Sequence, residues 1–326
     1  MHEVKSNRRS VSGTPPQLPG AQANDGPFDI FKRHHECVGW RLKKLGNTRK
    51  RTAQPRLGHH IAMKKYAVRP GQRVTLAAVD PDDTHLVKNK EDAAEQFSAM
   101  QTRLAELQEM LFARHDRKLL IILQGMDTSG KDGAIRHVAG SFNPQGTRVV
   151  SFRQPTDEEL DHDYLWRVHR QVPANGEVVL FNRSHYEDVL VVRVHDLVPK
   201  EVWKPRYEQI NLFERMLAEN GTLILKFFLH IDKDEQRERL EKRLADKTKC
   251  WKFKEGDLKE RKLWKDYQQA YEDALSKTST AWAPWHIVPA NHKWYRDYVV
   301  GSIVVDALEN LHLKYPTCEV SNVVVK

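Results

Sequence analysis

The chain has 326 residues, 40% hydrophobic and 30% charged, enough to bury the core of one large or two small domains. No apolar run approaches the ~20 residues of a membrane span, and the first residues carry no apolar signal core, so neither a membrane protein nor a secreted precursor is expected. Lys plus Arg total 53 against 44 Asp plus Glu, a net charge of +9 that asks for a polyanionic partner: nucleic acid, an anionic membrane or a phosphate chain.

Residues 1–62 are rich in Ser, Pro, Gly, Arg and Lys and lack periodicity, which reads as a basic, disordered N-terminal extension, with organised sequence starting at Met63. Residues 63–90 read as an extended arm with turns at Pro70-Gly71 and Pro81-Asp82-Asp83. From Lys90 to Arg114 apolar residues recur at threes and fours (Phe97, Met100, Leu104, Leu107, Leu111), the pattern of a long amphipathic helix.

The stretch Lys118 to Gly140, KLLIILQGMDTSGKDGAIRHVAG, organises the rest. Leu119 to Leu123 read as a strand buried on both faces. Gly125, Gly130 and Lys131 then fall at the spacing G-x-x-x-x-G-K, and Ala134, Ile135 and Val138 resume at helical spacing. Strand, glycine loop and helix together suit a phosphate-binding loop. Its backbone N–H groups wrap an anion, the helix N-terminus adds positive potential and the lysine a full charge. The loop and helix start, Gly125, Thr128, Ser129, Gly130, Asp132, Gly133 and Arg136, are thus expected to bind phosphate or nucleotide. Asp132 stands where such loops carry Ser or Thr, and Asp127 lies inside the loop; carboxylates this close to a polyanion make sense with a divalent metal between them.

Further strands are expected at 148–152, 177–181, 223–231 and 286–290, separated by helices at 157–170, at 203–220 and after 290 to about Leu313. This alternation predicts an α/β fold, a parallel sheet with helices on both faces. The third strand runs into FNRSHYEDVLVVRVH, so Asn182, Arg183, His185, Glu187 and Asp188 sit where such sheets bind ligands. Between Arg237 and Lys254 eight basic residues accompany three acids, and Arg239, Arg243 and Lys247 are four apart. A one-signed stripe after a strand of the central sheet is expected to form a helical lid, about 233–263, over the phosphate loop. Phosphoryl transfer needs positioning and cations more than a protein nucleophile, and a phosphate acceptor brings its own anionic oxygen. The three cysteines, Cys37, Cys250 and Cys318, are far apart without metal spacing, which fits a reducing cytoplasm.

The segments GMDTSGKDGAIRHV, FRQPTDEELDHDYLWRVH and FNRSHYEDVLVVRVH, with the basic lid, resemble the polyphosphate kinase 2 family over about residues 63–313. The resemblance implies a thymidylate-kinase-like P-loop fold and transfer of the terminal phosphoryl group of inorganic polyphosphate to a nucleotide, with Mg²⁺ or Mn²⁺ required and polyphosphate synthesis as the reverse reaction. It gives Asp127 the organisation of metal and phosphates, Lys131 the phosphate in the loop, Arg183 the transferring phosphates, and Arg239, Arg243 and Lys247 the lid. Glu187, where one-step members carry Asn, looks like the third class, acting on AMP and ADP, with GMP and GDP as further acceptors. Asn182, where some classes have Asp, fits that class and removes a metal carboxylate. A homo-oligomer is expected. The rival readings are a nucleoside monophosphate kinase using ATP and a nucleic-acid-binding module built on the basic tail, for which no nucleic-acid motif is visible.

Overall fold

Each expected apolar run becomes a strand of one sheet. The computed structural model describes residues 57–253 and 255–317, and its strands are β1 Lys118–Gln124, β2 Thr147–Ser151, β3 Val178–Asn182, β4 Thr222–His230 and β5 Trp285–Pro289. They pair in parallel in the order β2-β3-β1-β4-β5. β1 is central and its Leu119 to Leu123 are buried, as a continuous apolar run between two layers requires. Leu123 lies in register with Asn182 of β3 and Phe227 of β4, so β1 and β3 end almost level while β4 runs on to His230. The chain leaves β1 for β2 and β3 on one side and crosses to β4 on the other, placing a switch point at the end of β1.

Helix α1, Leu57–Tyr66, begins inside the stretch expected to be disordered and runs into the start of the expected arm, with Ala62 buried in the core; the rest of the arm runs without regular structure apart from a short 3-10 turn. Ala67 bridges His286 antiparallel, and the Val68 N–H donates to Trp285 O at 2.8 Å, which covers the outer edge of β5. Helix α2, Lys90–Arg114, has the expected bounds, with Asn89 capping it by accepting from the Asp92 N–H. The phosphate-loop helix is α3, Lys131–Ala139. The helix expected over 157–170 is instead two single turns, α4 Asp157–Leu160 and α5 Trp166–His169. Between them Asp163 accepts from the Leu165 N–H, a local bond that competes with the helical ladder.

Short α6, Val191–Val194, comes after β3. The helix expected over 203–220 is α8 Arg206–Glu219, preceded by the single turn α7 Lys200–Trp203; Pro205 between them lacks an N–H and interrupts the helical ladder. After β4 come α9 Lys233–Ala245, α10 Glu255–Lys262 and α11 Trp264–Thr278, and after β5 α12 Lys293–Glu309, which stops short of Leu313. The basic extension expected over 1–62 lies, as far as residue 56, outside the described residues. No helix among the described residues is long and apolar enough to cross a membrane.

Candidate active site

The loop after β1 turns only because two positions are glycine. At Gly125 φ is +150° and a Cβ would come 2.8 Å from the Leu229 carbonyl oxygen of the neighbouring strand. At Gly130 φ is +100° and a Cβ would lie 1.9 Å from Arg296 Nη1. Thr128 between them is also left-handed, φ 65°, at a cost of about 1 kcal/mol. Lys131 folds back, buried, and its Nζ donates to the carbonyls of Gly125 at 2.7 Å and Met126 at 3.2 Å. Burial, then the nearby Arg183 charge, push its ammonium down to about 8, against the opposing pull of Asp127, Glu187 and Asp132. The Thr128 and Ser129 hydroxyl oxygens are buried without a hydrogen-bond partner among the described residues. Unpaired hydroxyls at the positive end of a helix suit an anion.

The end of β3 faces this loop. Asn182 Nδ2 donates to Asp132 Oδ1 at 2.7 Å, and the Arg183 N–H donates to Leu123 O at 3.1 Å. Arg183 is left-handed, φ 63°, and its Nη2 donates to Asp127 Oδ1 at 3.0 Å while Nη1 lies 3.8 Å from Glu187 Oε2. Burial pushes the Glu187 carboxyl up, opposed by Arg183 and Lys131. Ser184 Oγ accepts from the Tyr186 N–H and starts the 3-10 turn His185–Asp188. Of the candidates in this segment only Arg183 and Glu187 line the cavity: Asn182 is engaged with Asp132, His185 is buried against Glu214, and Asp188, raised to about 6 by burial, pairs with Arg206 at 3.0 Å.

The third wall is the segment after β4. Asp232 caps α9 by accepting from the Glu235 N–H, and Gln236 Nε2 donates to the Asp127 carbonyl at 3.1 Å. The expected cationic stripe diverges. Arg239 is buried; its Nη1 donates to Thr128 O and Ser129 O, its Nη2 to Ala290 O and Asn291 O, and its Nε to Glu235, so it grips the loop through carbonyls. Arg243 lies 3.6 Å from Asp257 of α10. Lys247 lies past the end of α9, exposed, and does not share the helical face expected for it. Arg136 is exposed in the last turn of α3, and Gly133 backs onto Arg296.

Loop, β3 end and lid segment enclose a cavity of about 270 Å³. Gly125, Asp127, Arg183 and Glu187 line it with Gln236, Asp257 and Glu260 of the lid segment and Val191, His195, Tyr267 and Tyr271. Tyr267 donates to Glu260 Oε2 at 2.6 Å, and His195 Nε2 lies 3.1 Å from the same oxygen, joining α10 to α6 and α11. Sequence reasoning does not find Gln236, His195, Glu260, Tyr267, Tyr271 or Arg296. The i, i+4 spacing of the two tyrosines marks a helix face without saying what it faces.

A central parallel strand feeding a lysine-bearing glycine loop, with an arginine just past the end of the adjacent strand and a helical segment over both, defines a P-loop protein of the nucleotide-kinase type. The family model of polyphosphate kinase 2 matches residues 87–316. An AMP/ADP-polyphosphate phosphotransferase of Meiothermus ruber is 55% identical over 261 residues, 80% of this chain and 98% of the relative. An ADP-polyphosphate phosphotransferase of Rhodopseudomonas palustris is 42% identical over 268 residues, 78% of this chain and 93% of the relative. The crystal structure of polyphosphate kinase 2 from Arthrobacter aurescens TC1 superposes with a TM-score of 0.78 at 47% identity, covering 80% of this chain and 93% of that one. The chain belongs to the polyphosphate kinase 2 family.

Proposed function

We propose that the protein transfers the terminal phosphoryl group of inorganic polyphosphate to nucleoside mono- and diphosphates, AMP to ADP to ATP, and runs in reverse when triphosphate is abundant. The observation that carries this reading is Arg183, just past the end of β3, meeting Asp127 of the loop at 3.0 Å on the wall of one cavity. An arginine held by a loop carboxylate is placed to exchange that partner for phosphate oxygens, bidentately. Lys131 lies behind the same loop, so the transferring group is flanked by two cations and the N-terminus of α3. The attacking oxygen of AMP or ADP is already anionic, and no side chain has to remove a proton from it. What these residues do is align two polyanions and offset their repulsion.

Magnesium or manganese fits the donor set. Among the described residues no group of three or more His, Cys, Asp or Glu could hold a metal alone. One or two carboxylates completed by phosphate oxygens and water is the way Mg²⁺ is usually held, and Asp127 is the carboxylate placed for it. A bound ion would neutralise charge on the bridging phosphates. The names of the Meiothermus ruber and Rhodopseudomonas palustris relatives support AMP and ADP as acceptors. Guanine nucleotides and a homo-oligomer belong to the same reading by family resemblance, and a cytoplasmic location by the widely spaced cysteines.

Purified full-length protein is given AMP, long-chain polyphosphate and Mg²⁺ with no ATP, and nucleotides are separated by chromatography. ADP followed by ATP is expected. Product only when ATP replaces polyphosphate would make it an ATP-dependent monophosphate kinase.

A further inference from the structure

Behind the turn that carries Arg183 and Glu187, a polar cluster lies inside the core. Lys226 of β4 and Glu214 of α8 are fully buried and 2.6 Å apart. The adjacent turn residues His185 and Tyr186 address the same carboxylate: Tyr186 OH donates to Glu214 Oε1 at 2.8 Å, and His185 Nε2 lies 3.2 Å from that oxygen. Lys226 Nζ also donates to Tyr186 OH at 2.8 Å and to Thr278 O, on the helix bearing Tyr267 and Tyr271, at 2.7 Å. Apolar side chains of similar volume would fill this space at least as stably, so charge here calls for a reason other than stability. The bonds that Lys226, Glu214 and Tyr186 make fix their orientation, since few geometries make them all; of the cluster's side-chain atoms His185 Nδ1 is buried without a partner among the described residues. The turn in front needs such fixing. Arg183 is left-handed, a conformation an arginine keeps only when its surroundings over-determine it.

We infer that the Glu214–Lys226 pair positions the transfer machinery: through Tyr186 and His185 it clamps the turn so that Arg183 meets Asp127 and Glu187 faces the cavity. Neither Glu214 nor Lys226 lines the cavity, so both act through the turn. For its activity readout the inference rests on the phosphotransfer reading.

The test compares wild type with Tyr186→Phe, which removes one hydroxyl, and Glu214→Gln, which keeps the shape of the carboxylate; each stands alone if the other fails to fold. Steady-state kinetics with AMP and polyphosphate should show kcat lowered by about tenfold and KM for AMP changed by less than about twofold. In an Arg183→Ala background the same substitution should change kcat by less than about twofold, since its effect passes through Arg183. Hydrogen exchange should accelerate at the amides of residues 183–190 while those of β1 keep their protection. A wild-type kcat, an equal loss in both backgrounds, or unchanged exchange overturns the inference. The exchange measurement needs no substrate, so it separates this inference from the phosphotransfer reading, which an inactive wild type alone would remove.

Discussion

Lys131 is a largely buried cation whose ammonium is bonded, among the described residues, to two carbonyls and to no carboxylate. Its charge is therefore poorly compensated until an anion arrives, and the ammonium titrates near 8 instead of 10.5. Below pH 8 the free enzyme carries the charge that attracts polyphosphate; as pH rises through 8 it is lost. We expect kcat/KM for polyphosphate to fall above about pH 8 with a one-proton slope, while kcat, which reports the phosphate-bound enzyme, stays level to higher pH. A flat kcat/KM profile to about pH 9.5 would contradict this. Since the folded value lies below the unfolded one, the protonated lysine destabilises the free fold below pH 8, and that penalty fades toward 10.5. Lys131→Met should lower turnover by about a hundredfold or more yet melt no lower than wild type at pH 7. Glu187 lines the cavity, and on the proposed reading it faces the acceptor. Replacing its carboxylate, 3.8 Å from Arg183, by the neutral Glu187→Asn favours the acceptor with the extra phosphate. The ADP-over-AMP ratio of kcat/KM should rise several-fold, on the order of 1 kcal/mol; product analysis with equimolar AMP and ADP reads it.

Among the elements, α9 is the joint of the site. It leaves β4 at Asp232 and sends Gln236 and Arg239 to the backbone of the phosphate loop, and Arg239 also to the strand end at Ala290 and Asn291. Removing that guanidinium strands four carbonyls and the Glu235 carboxylate. Arg239→Met should cost on the order of 3 kcal/mol in urea unfolding, whereas Lys247→Ala, on an exposed position, should stay within about 0.5 kcal/mol. Equal unfolding midpoints for the two would refute the assignment. This divergence marks where the sequence stops being legible. Five strands and the loop can be read because runs such as Leu119 to Leu123 and the Gly125–Gly130–Lys131 spacing are local signals. Arg183 and Glu187 can be placed because the carboxyl end of a strand fixes where the next few residues emerge. The direction of Arg239 cannot, since helical periodicity gives a face and not its neighbour. Tyr267, Tyr271, His195 and Glu260 meet only through packing of α6, α10 and α11, which no spacing encodes. The interruptions at Pro205 and Asp163 have visible causes, a proline and a turn-forming aspartate, that apolar periodicity outweighs when the sequence is read alone.

For the whole molecule, charge is divided very unevenly. Residues 1–56 hold twelve Lys and Arg against four Asp and Glu, so nearly all of the net +9 belongs to them and the remaining chain is close to neutral. The residues lining the cavity fall between Gly125 and Tyr271, and the family match begins only at residue 87. Chemistry and long-range attraction are then assigned to different parts of the chain. Cations at contact distance in the cleft are weakly screened by salt, whereas the net charge of residues 1–56 can act on a polyanion over no more than about 10 Å at 0.1 M salt, which makes the two separable by experiment. Deleting residues 1–56 should leave kcat within about twofold and lower kcat/KM for long-chain polyphosphate at low ionic strength by about tenfold, the scale of electrostatic steering. The difference should close as salt is raised toward about 0.5 M, where the screening length is only about 4 Å. A lost kcat would place the extension in the machinery of transfer, and a salt dependence identical in the two proteins would return the attraction to the cleft.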